Sequence, residues 1–354
     1  MKVLAAWSLW PDPPATPGAD FRVPDLAPLE ARYVPERPRR VGRHARLTLV
    51  GAAACVAEAP APIPGNRTGI YLGSGIGNAA EESLVVEQVV GMVAGVTPGP
   101  ASPVHFANSV SNSATFYAAR VTGATGPNVV VSQEEVSFEG ALMAADLALR
   151  AGEIDCALVG GVDEYLVARE GTFLRIDLPA DTVLGEGSGW LLVARDAPGV
   201  AGAPGEILAS VQVPGGIRAG ADAPDAWEQV AAIATAARWN GEAVTILPGV
   251  RVDAADAAAL AACLPGARVN TYLDRCGTFA TAAALGIAGC FRPDATAGLY
   301  VHVSRCRLGV AAVVLRRTPL EWPEATPAPA RVSPGNPSPA PTCSGGKEGS
   351  RPCG

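Results

Sequence analysis

The sequence predicts an α/β fold made of two similar halves. Short apolar runs rich in β-branched residues alternate with alanine-rich stretches of helical length, and this alternation is typical of a parallel sheet covered by helices. The alternation starts again after the proline-containing segment 198–204. With 354 residues, 49% of them hydrophobic, the chain is long enough to bury a large core.

The first half is predicted to begin with a strand inside residues 1–11. Residues 12–40 are rich in proline and arginine, and we expect them to form a loop that wraps the surface. The elements expected after this loop are a helix over 44–58, a strand with a glycine turn over 68–78, helices over 81–93 and 109–122, a strand–helix–strand unit from 126 to 161, and a strand over 187–194.

The second half is predicted to repeat this order of elements. Its expected strands cover 207–213, 243–247, 298–303 and 310–315, and its expected helices cover 224–239, 254–264 and 278–289. The predicted boundaries are therefore 1–196 for the first half and 197–317 for the second. Residues 318–354 are rich in proline, serine and glycine, so they are predicted to form a disordered tail.

Composition excludes several classes of function. The net charge is −7, only 17% of residues are charged, and lysine and arginine do not cluster as nucleic-acid or anionic-membrane binding requires. No apolar stretch reaches the length of a membrane-spanning helix, and the N-terminal apolar run is too short for a signal peptide and breaks at Pro11. No cysteine pair has metal-ligand spacing. We expect a cytoplasmic protein without a metal or an organic cofactor.

Several short motifs, taken in order, resemble the β-ketoacyl synthase family. They are the glycine turn Gly-Ser-Gly-Ile-Gly at 73–77, the helix and loop over 108–126, the Gly-Gly-Val-Asp-Glu turn at 160–164 and the acidic-glycine hairpin entry at 184–189. The resemblance covers residues 38–316. It implies a thiolase-like fold, with two pseudo-duplicated βαβαβ-type halves in αβαβα layers.

The resemblance also places the family's catalytic positions. In that family a cysteine at a strand-to-helix turn carries the acyl chain, and two histidines assist decarboxylation of a malonyl unit. The matching positions here hold Glu135 for the cysteine, Pro248 and Thr278 for the two histidines, and Leu273 for a nearby lysine, while the glycine-rich gate falls on residues 305–308. The three histidines of the chain, His44, His105 and His302, all lie elsewhere. We therefore expect no condensation by this chain alone.

Three interpretations of function follow from this pattern. In the first, the chain resembles a chain-length factor, a non-catalytic subunit that pairs with an active ketosynthase, shapes its acyl tunnel and works with an acyl carrier protein in polyketide, fatty-acid or polyene assembly. In the second, Glu135 decarboxylates malonyl thioesters or hydrolyses thioesters, with Ser137 nearby. In the third, the chain is a stand-alone binding or structural protein. The simplest reading of Glu134 and Glu135 is a pair of acids that stabilises a helix start.

The helix predicted over 81–93 is a candidate for the tunnel floor. Ser83, Val86 and Val90 lie on one stripe of this helix, and Phe116 is a further candidate for the tunnel wall or the partner interface. An ordinary core stripe is the alternative. His302, with Arg305 and Arg307, is a candidate contact for a partner or a carrier protein.

Overall fold

The computed structural model describes residues 1–11, 21–36, 38–96, 99–166, 178–179, 182–195, 203–214, 225–239, 241–307 and 309–319. Its strands are β1 (Lys2–Ser8), β2 (Phe21–Arg22), β3 (Thr68–Gly73), β4 (Asn128–Val131), β5 (Cys156–Asp163), β6 (Leu184–Gly185), β7 (Gly187–Ala194), β8 (Gly205–Pro214), β9 (Val244–Pro248), β10 (Arg268–Val269), β11 (Gly298–Cys306) and β12 (Gly309–Arg317). Its helices are α1 (Ala27–Tyr33), α2 (Arg43–Ala57), α3 (Ala79–Val93), α4 (Pro103–Ser109), α5 (Ser113–Thr122), α6 (Ser137–Ala151), α7 (Ala226–Ala237), α8 (Ala254–Cys263), α9 (Leu273–Cys276) and α10 (Ala283–Gly289).

Two sets of five strands share one topology. The first set has the order β4-β3-β5-β7-β1, and the second has the order β10-β9-β11-β12-β8. In both sets the first three strands of this order are parallel to one another. The third and fourth strands, and the fourth and fifth, pair antiparallel. The sets meet where β1 pairs with β8 over Lys2–Glu206 and Val3–Gly205. The repeated order confirms the predicted duplication of the fold.

Helices cover both sets of strands in layers. α6 and α10 contact strands of both sets and form the central layer, α2 and α5 lie against the first set, and α7 and α8 lie against the second. Because β5 is covered on both faces, all eight of its residues are buried, and its sequence is almost continuously apolar. α6 ends at Gly152, whose positive φ of 73° is a conformation that glycine adopts without strain.

Three sequence predictions about elements need correction. The expected surface loop over 12–40 contains helix α1, which has a proline in its first turn. An ion pair between Glu30 of α1 and Arg46 of α2 joins the two helices. The helix expected over 109–122 begins at Ser113, because the backbone at Val110 is extended, and a separate short helix, α4, precedes it over Pro103–Ser109. The helix expected from 278 begins at Ala283.

Some expectations fall outside what the structure describes. Beyond residue 319, the predicted tail belongs to the part of the chain that is not described. No helix in the described part combines the length and the apolarity that crossing a membrane requires.

Candidate functional site

Glu135 lies at a tight turn between β4 and α6. Glu134 has a φ of 52°, in the left-handed region that non-glycine residues rarely adopt. Ser137 stabilises the turn, because its hydroxyl donates to the Glu134 carbonyl at 2.7 Å and accepts from the Gln133 amide at 2.8 Å. This turn places the Glu135 side chain, 3% exposed, just before the central helix α6. The sequence motif identified this position correctly as a strand-to-helix turn.

The partner of Glu135 is Arg251, a residue that sequence reasoning missed. Arg251 Nε donates to Glu135 Oε1 at 2.7 Å, and the two side chains are 12% and 4% exposed. Arg251 lies three residues after Pro248 in the loop that follows β9, and its φ is 60°. Glu135 Oε2 is buried without a hydrogen-bond partner. The sequence feature that could have revealed this partner is the position of Arg251, in the loop where the resemblance places the first histidine.

The other positions assigned by resemblance carry no acid–base group. Pro248 is buried at the end of β9 and pairs with Val303 in the neighbouring strand. Thr278 is 7% exposed, and its backbone bonds to Val183 and Gly185. Leu273 is partly buried against the core. Among the described residues, no recorded hydrogen bond joins these three side chains to Glu135.

A cavity of about 720 Å³ lies beside Glu135. Its lining comes from five places: the glycine turn at 75–76, the turn at 132–136, the end of β8 at 212–214, Ala280 before α10, and the residues 306–307 and 309–311 at the adjoining ends of β11 and β12. Apolar side chains and backbone make up most of the wall, and Glu135 contributes a buried carboxylate. A space of this size can hold a small organic ligand.

A second polar cluster is sealed below this turn. Glu139, His302 and Ser304 are all 0% exposed, and His302 Nδ1 lies 3.7 Å from Glu139 Oε1. Tyr272 Oη bonds to His302 Nε2 at 2.8 Å, whereas both Glu139 oxygens, His302 Nδ1 and Ser304 Oγ have no hydrogen-bond partner. Burial raises the pKa of Glu139 to about 7 and lowers the pKa of His302 to about 3. The prediction that His302 contacts a partner at the surface is therefore wrong.

Asp163 carries a third buried polar network, which positions the cavity wall. This carboxylate accepts from the hydroxyls of Ser74 and Thr281, both at 2.8 Å, and from the backbone amides of Gly75, Ile76 and Thr281. Ser74 belongs to the glycine turn of the first half, and Thr281 directly precedes α10 in the second half. Asp163 therefore fixes the two halves of the fold relative to each other at the cavity.

The described residues contain no cysteine–histidine hydrogen bond. Cys276, the cysteine nearest the sealed cluster, donates to backbone carbonyls of Tyr272 and Gly277. Burial raises the pKa of the thiols of Cys55 and Cys290, which keeps them protonated. No group of three or more potential metal ligands occurs within the described ranges.

Comparison with known proteins agrees with this architecture. Residues 18–175 match the model of the β-ketoacyl synthase N-terminal domain. The chain has the β-ketoacyl synthase fold. A structure titled as the ishigamide ketosynthase/chain length factor matches at 20% identity and TM-score 0.65, covering 83% of this chain and 86% of that one. A type II polyketide ketosynthase in complex with its acyl-carrier protein matches at 14% identity and TM-score 0.70, covering 90% and 99%.

A third structure, a β-ketoacyl synthase from Burkholderia phymatum, matches at 17% identity and TM-score 0.62, covering 81% of this chain and 86% of that one. No curated protein sequence matches the chain significantly. At these identities the likeness establishes the fold, so the residues that line the cleft have to be interpreted from their own chemistry.

One face of this ketosynthase fold is apolar and exposed. Val86 is 59% exposed, Val90 is 60% exposed, and Phe116 is 52% exposed, while Ser83 bonds to the Ala79 carbonyl. Further exposed apolar side chains on or beside α3, α4 and α5 are Leu84, Val89, Met92, Val93, Val96, Phe106 and Val110. We call this set, with Val86, Val90 and Phe116, the α3–α5 face. A core stripe within this chain, the alternative considered for α3, is wrong.

Proposed function

We propose that the chain is a non-catalytic, chain-length-factor-like subunit that pairs with an active β-ketoacyl synthase. In this role it shapes the acyl tunnel of its partner during polyketide- or fatty-acid-type assembly, including polyene assembly, on an acyl carrier protein. The observation that carries the proposal is the buried Glu135–Arg251 ion pair. Glu135 occupies the position of the nucleophile, and Arg251 lies in the loop that would carry the first histidine.

The ion pair makes covalent acyl transfer by Glu135 unfavourable. A carboxylate whose Oε1 is held by a guanidinium at 2.7 Å is a poor nucleophile. A condensing site also needs a proton donor and a group that stabilises the enolate. Pro248 supplies neither, and the neutral His302 is sealed away from the cavity lining.

The α3–α5 face supports pairing with another protein. A group of neighbouring helices that exposes many large apolar side chains is typical of an interaction site. β4, which α5 contacts, lies at the end of the strand order, so its outer edge has no strand partner among the described residues. The neighbour titled ketosynthase/chain length factor has the same fold, which supports a ketosynthase as the partner.

Co-expression tests the pairing directly. The chain is co-expressed with type II ketosynthases and an acyl carrier protein, and we expect co-purification with one ketosynthase and condensation of malonyl-carrier substrate only by the pair. Val90→Asp should abolish co-purification, because a charge at the centre of an apolar interface is costly to bury. The matched control is Val269→Asp, at a 46% exposed valine on β10, at the opposite end of the strand order. A stable homodimer that ignores every ketosynthase would contradict the proposal.

Product length tests the role in the tunnel. Val86→Phe and Val90→Phe enlarge side chains on α3, so the pair should release shorter products if these residues line the tunnel floor. Chromatography with mass spectrometry measures the chain length. Unchanged products from a pair that still assembles would remove the tunnel role and leave the pairing intact.

The cavity favours one second candidate, an activity of Glu135 on thioesters. Glu135 belongs to the lining of a cavity large enough for a small substrate, and its Oε2 has no hydrogen-bond partner. The purified chain alone is incubated with malonyl- and acyl-carrier thioesters, and we expect no decarboxylation or hydrolysis. Turnover that disappears in Glu135→Gln would establish the enzyme and replace the non-catalytic role. We expect Glu135→Cys to leave condensation absent, because the histidine positions remain Pro248 and Thr278.

A further inference from the structure

A second cavity, of about 510 Å³, lies between α1 with Val34, the segment 38–41 and α2. It is separate from the cleft at Glu135, because the two cavities share no lining residue. Its floor is aliphatic and buried: Val34, Leu49 and Val50 are at most 3% exposed. Its rim carries two exposed arginines, Arg39 and Arg40.

The two rim arginines have no neutralising partner in the described part of the chain. Within the described residues neither Arg39 nor Arg40 has an ion pair or a side-chain hydrogen bond, whereas several other arginines there do. The carboxylate in the cavity wall, Glu30, does not cancel them, because Arg46 holds it with Nη2 at 2.9 Å from Oε2. The cavity therefore presents two uncompensated positive charges.

The backbone holds Arg40 in a fixed and unusual conformation. Its φ of 59° lies in the left-handed region, which costs free energy for a residue with a side chain. Asn108 of α4, 6% exposed, donates to the Arg40 carbonyl at 2.9 Å and so anchors this conformation. A buried side chain therefore holds the backbone from which the Arg40 guanidinium extends.

We propose that this cavity binds a small phosphate monoester through Arg39 and Arg40. Guanidinium groups pair with phosphate oxygens through charge-assisted, often bidentate hydrogen bonds. Two free guanidiniums match the double negative charge of a phosphate monoester above pH 6 more closely than the single charge of a carboxylate. The aliphatic residues below the rim and the volume of about 510 Å³ suit a compact organic group attached to the phosphate.

Titration calorimetry of the full chain at low ionic strength tests this site. The probes are glycerol 3-phosphate, inorganic phosphate, acetate and glycerol. We expect saturable binding of the two phosphates, weaker binding of acetate and none of glycerol. Absence of saturable phosphate binding, or acetate binding as tight as glycerol 3-phosphate, overturns the proposal.

Variants locate the site. Arg39→Gln and Arg40→Gln should each weaken phosphate binding by about tenfold or more, as expected for loss of a charged hydrogen-bonding partner. Arg32→Gln is the matched control, because Arg32 is an exposed arginine on α1 that stacks on Tyr33 outside the cavity. Equal losses in all three variants would indicate general attraction of anions and contradict a built site.

Arg40→Gly keeps the test decisive if Arg40→Gln perturbs folding. Glycine adopts the left-handed backbone without strain, so this variant removes the guanidinium while favouring the native conformation. We expect it to melt at the same temperature or higher and to lose phosphate affinity. Binding should also weaken below about pH 6, where the phosphate takes up its second proton. Undiminished affinity in Arg40→Gly, or at pH 5, overturns the assignment.

Discussion

Asp163 and Glu139 are both fully buried carboxyl groups beside the same cleft, but their surroundings are opposite. Asp163 accepts five hydrogen bonds from backbone and side chains of both halves, whereas neither oxygen of Glu139 has a partner. A buried carboxylate whose oxygens all accept hydrogen bonds fixes the positions of the groups that donate to it. A buried carboxyl group without such donors lowers the stability of the fold and stays protonated. Glu135 is intermediate, with one oxygen paired to Arg251 and the other free.

The largest effect should come from Asp163→Ala. The change leaves the donors of Ser74, Ile76 and Thr281 buried without an acceptor, and we expect a loss of about 5 kcal/mol in the free energy of unfolding. Urea denaturation measures this loss. Asp163→Asn retains one acceptor oxygen and should lose less. Similar stability of Asp163→Ala and the wild type would show that the network does not join the halves.

Arg251→Met should have the next largest effect. It leaves the Glu135 carboxylate buried without its cation, and we expect a loss of about 3 kcal/mol. The double variant Glu135→Gln/Arg251→Met removes both charges and should be more stable than Arg251→Met alone. A double-mutant cycle by urea denaturation measures the coupling. Strictly additive losses would show that the ion pair does not contribute to stability.

Glu139→Gln should stabilise the protein at alkaline pH. Burial raises the folded-state pKa of Glu139 from 4.5 to about 7, so between these values the native state holds a proton that the unfolded chain releases. The contribution of this group is therefore favourable below pH 4.5 and declines as pH rises to 7. We expect the variant to gain on the order of 3 kcal/mol over the wild type across this window.

The difference between variant and wild type is the quantity to measure, because His302 has the opposite slope. Its pKa falls from 6.5 to about 3 on folding, so its contribution improves as pH rises to 6.5. Asp146→Asn, at a residue on the same helix whose partner is the exposed Arg150, is the control. If the difference in unfolding free energy between Glu139→Gln and the wild type does not change between pH 4.5 and 7, Glu139 is not the group that holds the proton.

The smallest expected changes in stability come from replacing two buried serines, one at a time. Ser74→Ala removes a donor to Asp163 and should cost about 1–2 kcal/mol. Ser304→Ala removes a hydroxyl that makes no hydrogen bond of normal geometry but lies near enough to the Glu139 carboxyl to lower its pKa, and we expect a change within about 0.5 kcal/mol. Thermal melts at neutral pH measure both. Equal losses would indicate that Ser304 is bonded in solution, through an internal water molecule for example.

Local patterns predicted most of the strands and the helices of the second half. The β-branched runs and the alanine-rich stretches carry their own periodicity, so β5, β7 and α8 fall within one or two residues of the expected bounds. Helix α1 was missed because proline and arginine indicate a loop when burial is unknown. Its stability comes from a tertiary contact, the pairing of Glu30 with Arg46.

The site was only partly predictable for the same reason. Glu135 could be placed because a strand-to-helix turn is a local feature of the sequence. Its pairing with Arg251 joins residues 116 positions apart, and spacing along the chain does not reveal such a contact. His302 was expected to contact a partner together with Arg305 and Arg307, but β11 lies between two other strands and its residues from Leu299 to Ser304 are all buried.

The repeated strand order has a consequence for how such a protein can change. Each copy of the unit buries a core of its own on the outer side of its strands, whereas the central core draws residues from both copies. Substitutions in the outer core of one copy should therefore leave the other outer core intact. A substitution in the central core acts on both copies at once.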